Sequence, residues 1–249
     1  MKNIVLLLTS CVTPKNTPSV KLTNPRERLY QYINAIRYYL ENTTYSIVIV
    51  DNSNFDFSGF FAREIVKGRL EVLSFDGNTY NKNLGKGYGE YMIIKYAFNN
   101  SNFIRNSAII AKITGRIILK NLNKLIHYYL LVNNKVRCTV YADITFNMKY
   151  TGSVFFVAPK SFFENYFLKE CEFINEVEGI YFEHVLLSSI KGWLKAYNNR
   201  VLQMPVPMQY IGFSGTTGAS LKMKYSFFQK IKYIIKFIFV EITQLRLNK

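Results

Sequence analysis

Three short segments of the sequence carry side chains or glycines suited to binding a phosphorylated ligand. In the first, an apolar run at residues 47–50 ends in an acid, an amide and a hydroxyl, at Asp51, Asn52 and Ser53. Polar groups at the end of a buried strand can bind a nucleobase or a ribose, although the same residue types are also common in turns. This segment alone leaves a nucleoside site and an ordinary turn as alternatives.

The second segment, residues 83–90, contains Gly85, Lys86 and Gly87 at the start of a helical pattern. Glycines let the backbone approach a ligand closely, and the N-terminus of a helix attracts anions. The segment is not a P-loop, because GxxxxGK[ST] is absent, and it does not follow the first strand as a dinucleotide fingerprint would. The pattern indicates an anion near the backbone without identifying it.

The third segment, residues 109–116, carries Lys112, Gly115 and Arg116 at the end of an apolar run. A lysine and an arginine delivered together by a buried strand can bind a diphosphate. The alternative from the sequence is that both residues are ordinary surface cations.

The hydrophobic pattern places all three segments at one edge of a predicted parallel sheet. Buried strands and amphipathic helices alternate through the first half of the chain, which is typical of an α/β domain. The predicted strands lie at residues 4–9, 46–50, 70–74, 107–113, 137–142, 153–158 and 201–204, and the predicted helices at 26–41, 57–67, 90–99, 122–131, 160–168 and 178–197. Ligands bind outside the carboxyl ends of strands in such sheets, which adds Thr9 and Ser10 to the candidate site.

The charged residues are unevenly distributed along the chain of 249 residues. Basic residues outnumber acidic ones 32 to 16, and the net charge of +16 indicates an acidic partner, such as nucleic acid, anionic lipid or a phosphorylated metabolite. Residues 91–142 and 184–240 contain no Asp or Glu, whereas six glutamates lie within residues 164–183. We interpret this as two anion-facing regions on either side of an acidic segment. A disordered basic tail is excluded, because 49% of the residues are hydrophobic.

Cysteine and histidine are too few for a disulfide framework or a zinc site. The three cysteines are widely spaced, and His127 and His184 are the two histidines, so we expect a reducing, cytoplasmic location. The apolar run at residues 4–8 is shorter than the core of a signal peptide. No stretch reaches the roughly 18 apolar residues of a transmembrane helix. Neither a signal peptide nor a membrane span is predicted.

In their order and spacing, these segments resemble bacterial glycosyltransferases of the GT-A fold that build lipopolysaccharide and capsular polysaccharide. The resemblance covers roughly residues 3–200. It is carried by four segments: the first strand, IVIVDNS, NxGKGYGE and KITGR. It implies a GT-A-like (Rossmann-like) α/β domain at residues 1–220, with a mostly parallel central sheet flanked by helices. It also implies that Thr9, Ser10, residues 51–53 and residues 85–87 bind a nucleotide-sugar donor.

The sequence departs from the family pattern where most members carry an Asp-x-Asp that holds a metal on the donor diphosphate. That position has the basic segment at residues 112–116 instead. The negative charge that develops on a leaving nucleoside diphosphate must be neutralised, usually by a divalent metal. We therefore expect Lys112 and Arg116, with Gly115 between them, to do so directly, so that neither a divalent metal nor another cofactor is needed.

An inverting sugar transfer also needs a carboxylate that removes the proton of the acceptor hydroxyl. The resemblance implies an acid late in the domain near the start of a helix, which makes Glu178 and Glu183 the first candidates and Asp143 the third. For each, the alternative is a carboxylate that only stabilises a helix N-terminus. On this interpretation three adjacent residues border the acceptor pocket, Tyr150, Thr151 and Gly152.

The C-terminal segment, residues 221–249, combines lysines with bulky apolar residues at helical spacing. We expect a basic amphipathic helix on anionic lipid at the inner face of the cytoplasmic membrane, with a lipid-linked saccharide as acceptor. The alternative is a helix docked on the core. The expected activity is a hexosyltransferase-type glycosyl transfer.

Two other functions remain open from the sequence. The charge and the aromatic residues also suit a nucleic-acid-binding protein, although no RNP, helix-turn-helix or zinc signature is present. A sugar-phosphate nucleotidyltransferase would normally carry a loop rich in glycine and arginine after the first strand. Residues 9–14 are TSCVTP instead, which argues against it.

Overall fold

A computed structural model describes residues 3–15, 20–133, 139–196, 199–213, 218–220 and 227–247. Its central sheet has seven strands: β1 (Ile4–Ser10), β2 (Ser46–Asp51), β3 (Leu70–Ser74), β4 (Ile109–Thr114), β6 (Thr139–Ala142), β7 (Phe155–Pro159) and β8 (Arg200–Gln203). Their order across the sheet is β3-β2-β1-β4-β7-β6-β8. Two further strands, β5 (Ile118–Leu119) and β9 (Tyr210–Ile211), form a small antiparallel sheet.

The central sheet is mostly parallel, which confirms the predicted fold class. β1 lies between β2 and β4 and is parallel to both, and β3 extends the sheet in the same direction. β7 is antiparallel to its two neighbours, β4 and β6, and β8 is parallel to β6. Every residue of β1 is buried, as expected for a parallel strand covered on both faces.

Helices cover both faces of the sheet. They are α1 (Pro25–Asn42), α2 (Ala62–Val66), α3 (Gly85–Asn100), α4 (Asn102–Arg105), α5 (Leu122–Asn133), α6 (Lys160–Phe162), α7 (Leu168–Glu170), α8 (Phe182–Leu194) and α9 (Phe227–Leu247). A π-helical turn, Phe163–Phe167, joins α6 to α7, and 3-10 turns lie at Ser58–Phe60, Lys82–Leu84, Cys171–Phe173 and Glu176–Glu178. Leu6 and Leu8 of β1 belong to the core with α1 and α5, whereas Val5 and Leu7 belong to the core with α3 and α8.

Several predicted elements differ from those observed. The helix expected at residues 178–197 begins only at Phe182, because Gly179 takes a left-handed conformation with φ of 76° and ends the preceding 3-10 turn. The helix expected at residues 57–67 is a 3-10 turn followed by the short α2. Residues 137 and 138 of the strand predicted at 137–142, and residue 197 of the helix predicted at 178–197, lie outside the described residues.

The ends of β1 and β4 lie unusually close together. The Gly115 N–H donates to the Thr9 carbonyl at 2.9 Å, and a Cβ at residue 115 would lie 2.6 Å from that carbonyl oxygen. Only glycine permits this contact without a shift of the backbone. The two strand ends that carry Thr9 and Thr114 are thereby held side by side.

The C-terminal helix α9 is attached to the domain by ion pairs and by a buried apolar side chain. Lys236 pairs with Asp143, Glu241 pairs with Arg200, and Val240 is fully buried. Of the predicted basic helix at residues 221–249, residues 221–226 and 248–249 lie outside the described part. Among the described residues, no helix is long and apolar enough to span a membrane.

Candidate functional site

A cleft of about 250 Å³ opens at the carboxyl ends of β1, β2 and β4. The ends of the strands contribute Thr9, Ser10, Asn52 and Thr114 to its lining. This is the edge at which open α/β sheets bind ligands. The predicted donor residues therefore fall at or next to one cavity, although their individual contacts differ from those expected.

Lys112 lies beneath the cleft and does not line it. Its side chain has no solvent exposure, and its Nζ is 2.6 Å from Glu90 Oε1 and donates to the Ser153 carbonyl at 2.6 Å. Thr9 donates its hydroxyl to the same Glu90 oxygen at 2.8 Å. The structure thus corrects the expectation that Lys112 clamps a diphosphate, because its charge is already paired with Glu90 inside the protein.

Arg116, in contrast, lines the cleft. Its Nε donates to the Phe213 carbonyl at 3.1 Å. Among the described residues no carboxylate lies within ion-pair distance of its guanidinium. Arg116 therefore remains able to bind an anion in the cleft.

Asp51 organises loops beside the cleft. Its Oδ2 accepts from the Val12 N–H at 2.9 Å, and its Oδ1 accepts from the N–H and the hydroxyl of Ser53 at 2.7 and 2.6 Å. Asp51 is fully buried, and neither it nor Ser53 lines the cleft. The prediction that these two residues contact a ligand directly is therefore corrected. Their neighbour Asn52 does line it, and its buried Oδ1 has no hydrogen-bond partner among the described residues.

The glycine segment at the start of α3 binds a carboxylate of the protein itself. The Gly87 N–H donates to Glu176 Oε1 at 2.8 Å. Gly85, with φ of 86°, makes room for this side chain, because a Cβ there would lie 2.1 Å from Glu176 Cδ. Lys86 and Gly87 line the cleft, whereas Gly85 lies behind Glu176. The anion at this helix N-terminus is therefore Glu176, a cleft residue missing from the predicted site.

Of the three predicted bases, only Glu183 lines the cleft. It lies in the first turn of α8, and the Ser153 hydroxyl donates to its Oε1 at 2.6 Å. Its Oε2 has no hydrogen-bond partner among the described residues. Glu178 is solvent-exposed at the end of a 3-10 turn and does not reach the cleft.

Asp143 is occupied by the C-terminal helix. Its carboxylate pairs with Lys236 and accepts from the Tyr233 hydroxyl at 3.2 Å and from Gln203 Nε2 at 2.9 Å. It does not line the cleft. The structure therefore assigns Asp143 to the attachment of α9 and not to the position of a base.

The predicted acceptor residues Tyr150, Thr151 and Gly152 border the cleft without lining it. Tyr150 is exposed beside the His184 ring, and the buried Thr151 donates its N–H to the Glu183 carbonyl at 3.3 Å. The next two residues in the chain, Ser153 and Val154, reach the cleft. The acceptor contact of Tyr150, Thr151 and Gly152 stays a prediction.

Asn78 and Tyr80 of the cleft lining belong to the loop at residues 76–89, which the sequence places at the same sheet edge, whereas Cys11, Arg28 and Tyr32 were not selected from the sequence. Burial raises the pKa of the Cys11 thiol to about 11, with a further contribution from Asp51, so the thiol is neutral at pH 7. A neutral thiol is a poor nucleophile, which argues against a catalytic role for Cys11. A polar residue in the first turn of a helix that follows the first strand was the available signal for Arg28.

The side chains at the end of β4 do not fit a divalent metal. Thr114, Gly115 and Arg116 occupy this position and provide no carboxylate ligand. Within the described part of the chain, no three His, Cys, Asp or Glu side chains converge in a group that could hold a metal ion.

Comparisons with known proteins give structural matches alone. No protein-family model matches the sequence, and no curated protein matches it. Solved structures similar to this chain include a mannan synthase, TarS and a cytidylyltransferase.

Core-mannan synthase A from Aspergillus fumigatus, in an Mn/GDP form, is 10% identical over 96% of this chain and 86% of that chain, with a TM-score of 0.48. S. aureus TarS is 14% identical over 82% of this chain, with a TM-score of 0.46, and this chain covers 58% of the TarS structure. A cytidylyltransferase from Leptospira borgpetersenii is 12% identical over 99% of this chain and 97% of that chain, with a TM-score of 0.45. Identities and TM-scores as low as these transfer no function.

The Asp143 contacts predict a structural phenotype. Asp143→Asn removes the charge that faces Lys236, whose side chain is largely buried, and leaves the ammonium without a counter-charge. We expect a loss of about 2 to 3 kcal/mol in the free energy of unfolding, measured by urea denaturation, with faster amide exchange in α9. Lys232→Gln, at an exposed position of the same helix, should change stability by less than about 0.5 kcal/mol. Equal effects of the two substitutions would contradict the assignment.

Proposed function

We propose that the protein is an inverting, metal-independent glycosyltransferase that moves a sugar from a nucleotide-sugar to a lipid-linked saccharide in the synthesis of surface polysaccharide. The observation that carries the proposal is Glu183. Its carboxylate lines a cleft at the carboxyl ends of parallel strands, one oxygen is held by Ser153, and the other has no partner among the described residues. A carboxylate oriented in this way suits the removal of a proton from a bound hydroxyl.

The proposed reaction is a single displacement. The acceptor hydroxyl oxygen attacks the anomeric carbon of the donor sugar, and a new glycosidic C–O bond forms as the bond to the nucleotide phosphate breaks. Glu183 takes the hydroxyl proton, and the bonding pair leaves with the nucleoside diphosphate. Attack from the face opposite the leaving group inverts the configuration at the anomeric carbon.

Arg116 is proposed to stabilise the leaving diphosphate. It is a cleft cation without a carboxylate partner among the described residues, and a guanidinium binds phosphate oxygens through two parallel N–H groups. Lys112 is not proposed to contact the diphosphate, because its ammonium is buried and paired with Glu90. A nucleoside is proposed to lie near Asn52, whose unpartnered Oδ1 accepts an N–H or a hydroxyl.

The exposed face of α9 is proposed to lie on anionic lipid at the inner face of the cytoplasmic membrane, near a lipid-linked acceptor. Its exposed apolar side chains are Phe227, Phe228, Ile231, Ile234, Ile235, Ile238, Phe239 and Ile242. Glu241 is the one acid of this helix, and it is paired with Arg200. Apolar side chains with basic neighbours and no free acid match the composition of interfacial helices.

Replacing Glu183 tests the proposed base. Glu183→Gln keeps the shape of the side chain but cannot take a proton, so we expect the turnover number to fall about 10²- to 10⁴-fold while donor affinity changes little. Nucleotide release from UDP-, GDP-, CMP- and dTDP-sugars, with lipid-linked acceptor, measures the rate. Glu178→Gln, at an exposed glutamate five residues earlier, should leave the rate unchanged. Release of pyrophosphate from a nucleoside triphosphate and a sugar phosphate would instead identify a nucleotidyltransferase.

Removing divalent metals tests the proposed charge stabilisation. Turnover of the active donor should be the same after treatment with EDTA as in Mg²⁺ or Mn²⁺, because the cation beside the diphosphate is Arg116. Arg116→Gln should lower the rate at least about tenfold. Loss of activity in EDTA with full recovery on Mn²⁺ would refute metal independence.

Vesicle binding tests the role of α9. The double variant Ile234→Glu/Ile238→Glu places two carboxylates on its exposed face, and we expect at least about tenfold weaker sedimentation with phosphatidylglycerol vesicles. Val66→Glu, at an 88% exposed apolar position of α2, is the matched control and should bind as the unmodified protein does. Equal binding by both variants would place the lipid contact elsewhere.

A further inference from the structure

Arg28 is a buried cation that lines the cleft. It lies in the first helical turns of α1, which begins with Asn24 as its N-cap, and it is 4% exposed. Its Nε donates to the Cys11 carbonyl at 2.7 Å, its Nη1 to the Leu22 carbonyl at 3.0 Å, and its Nη2 to the Tyr32 hydroxyl at 3.2 Å. These contacts hold the guanidinium in one orientation at the edge of the cavity.

The charge of Arg28 has no counter-charge within ion-pair distance. All three of its acceptors are neutral oxygens. The described residues include every Asp and Glu of the chain, and none of them forms an ion pair with Arg28. Burial of an unpaired ion is costly, so such a group is expected to face an anion that the protein itself does not provide.

Donor groups remain free on both Arg28 and Tyr32. A guanidinium has five N–H groups, and the contacts above use three of them. The Tyr32 hydroxyl accepts from the Cys11 N–H at 3.0 Å as well as from Arg28, and its own proton has no acceptor among the described residues. Tyr32 lines the same part of the cleft and is 2% exposed. The neighbouring Cys11 thiol is uncharged and does not compete as an anion.

We propose that Arg28 and Tyr32 form an anion site that binds a phosphate group of the nucleotide donor, separately from Arg116. The identification of the anion as a donor phosphate rests on the proposed function, whereas the anion site itself does not. A tetrahedral phosphate presents several oxygens, which suits two N–H groups and one O–H group that approach together. The cleft then holds, besides Lys86, two arginines of different burial, Arg28 and Arg116.

Titration calorimetry with inorganic phosphate and pyrophosphate, at constant ionic strength, tests the site without assuming a base or a sugar. Arg28→Lys keeps the charge but loses the planar N–H groups of the guanidinium, and Tyr32→Phe loses the hydroxyl. We expect each substitution to weaken pyrophosphate binding at least about tenfold. Arg37→Gln, at an exposed position of the same helix, is the control and should bind within about twofold of the unmodified protein. Circular dichroism identifies which variants fold. If one of the two variants does not fold, the other still tests the site.

A second arm of the experiment identifies the source of the phosphate. Uridine, guanosine and cytidine are compared with their diphosphates, and Arg28→Lys should weaken binding of the diphosphates and leave that of the nucleosides unchanged. Arg28-dependent binding of inorganic phosphate with no nucleotide binding would assign the site to free phosphate. Absence of phosphate and pyrophosphate binding by the unmodified protein, or unchanged binding by both folded variants, would overturn the proposal.

The outcome is independent of the proposed function. Sugar transfer that depends on Glu183, together with phosphate binding that does not depend on Arg28, would refute the proposed anion site and support the proposed transferase. Phosphate binding that depends on Arg28, with no turnover of any sugar nucleotide, would leave the site and remove the transferase.

Discussion

The ion pair between Lys112 and Glu90 is the interaction on which the arrangement of the cleft depends. A fully buried ammonium must be paired, and the elements that pair it are thereby held in register. Lys112 belongs to β4 and Glu90 to α3, while Thr9 of β1 donates to the same carboxylate. Lys112 also holds the Ser153 carbonyl, and the Ser153 hydroxyl orients Glu183. One charge pair thus joins the strand ends, the glycine-rich helix and the proposed base.

Much of the fold follows from local patterns in the sequence. Long apolar runs such as residues 4–8 form the parallel strands, and Asn24-Pro25 begins α1 as an N-cap and first helical residue. The π-helical turn at Phe163–Phe167 and the antiparallel direction of β7 have no such local signal. Those features arise from packing against residues far away in the chain.

The site was harder to predict than the fold, because the partners of its charged residues lie far away in sequence. Lys112 and Asp51 both lie near strand ends, as predicted. Their charged groups, however, bind other residues of the protein and not the cleft. Asp143 is bound by Lys236, 93 residues later. Glu183 was selected together with Glu178 because the family resemblance implies an acid near the start of a helix, and of the two only Glu183 lines the cleft. Arg28 was missed because the absence of a carboxylate beside it can be recognised only from the three-dimensional positions of all the acidic residues.

The segregation of charge along the sequence has a simple counterpart in three dimensions. The acidic segment at residues 164–183 folds onto the helix that begins the first acid-free stretch. Glu172 pairs with Lys95 at 3.1 Å, and Glu176 accepts from the backbone of Gly87. One ion pair and one backbone hydrogen bond thus join the acidic segment to α3.

The contact between Gly85 and Glu176 has an evolutionary consequence. The space for the glutamate side chain exists only because residue 85 lacks a Cβ, and the φ of 86° at this position also favours glycine. Residue 85 is therefore expected to stay glycine in related proteins. A shorter side chain at 176 would be tolerated beside it and would leave the helix N-terminus open to an external anion.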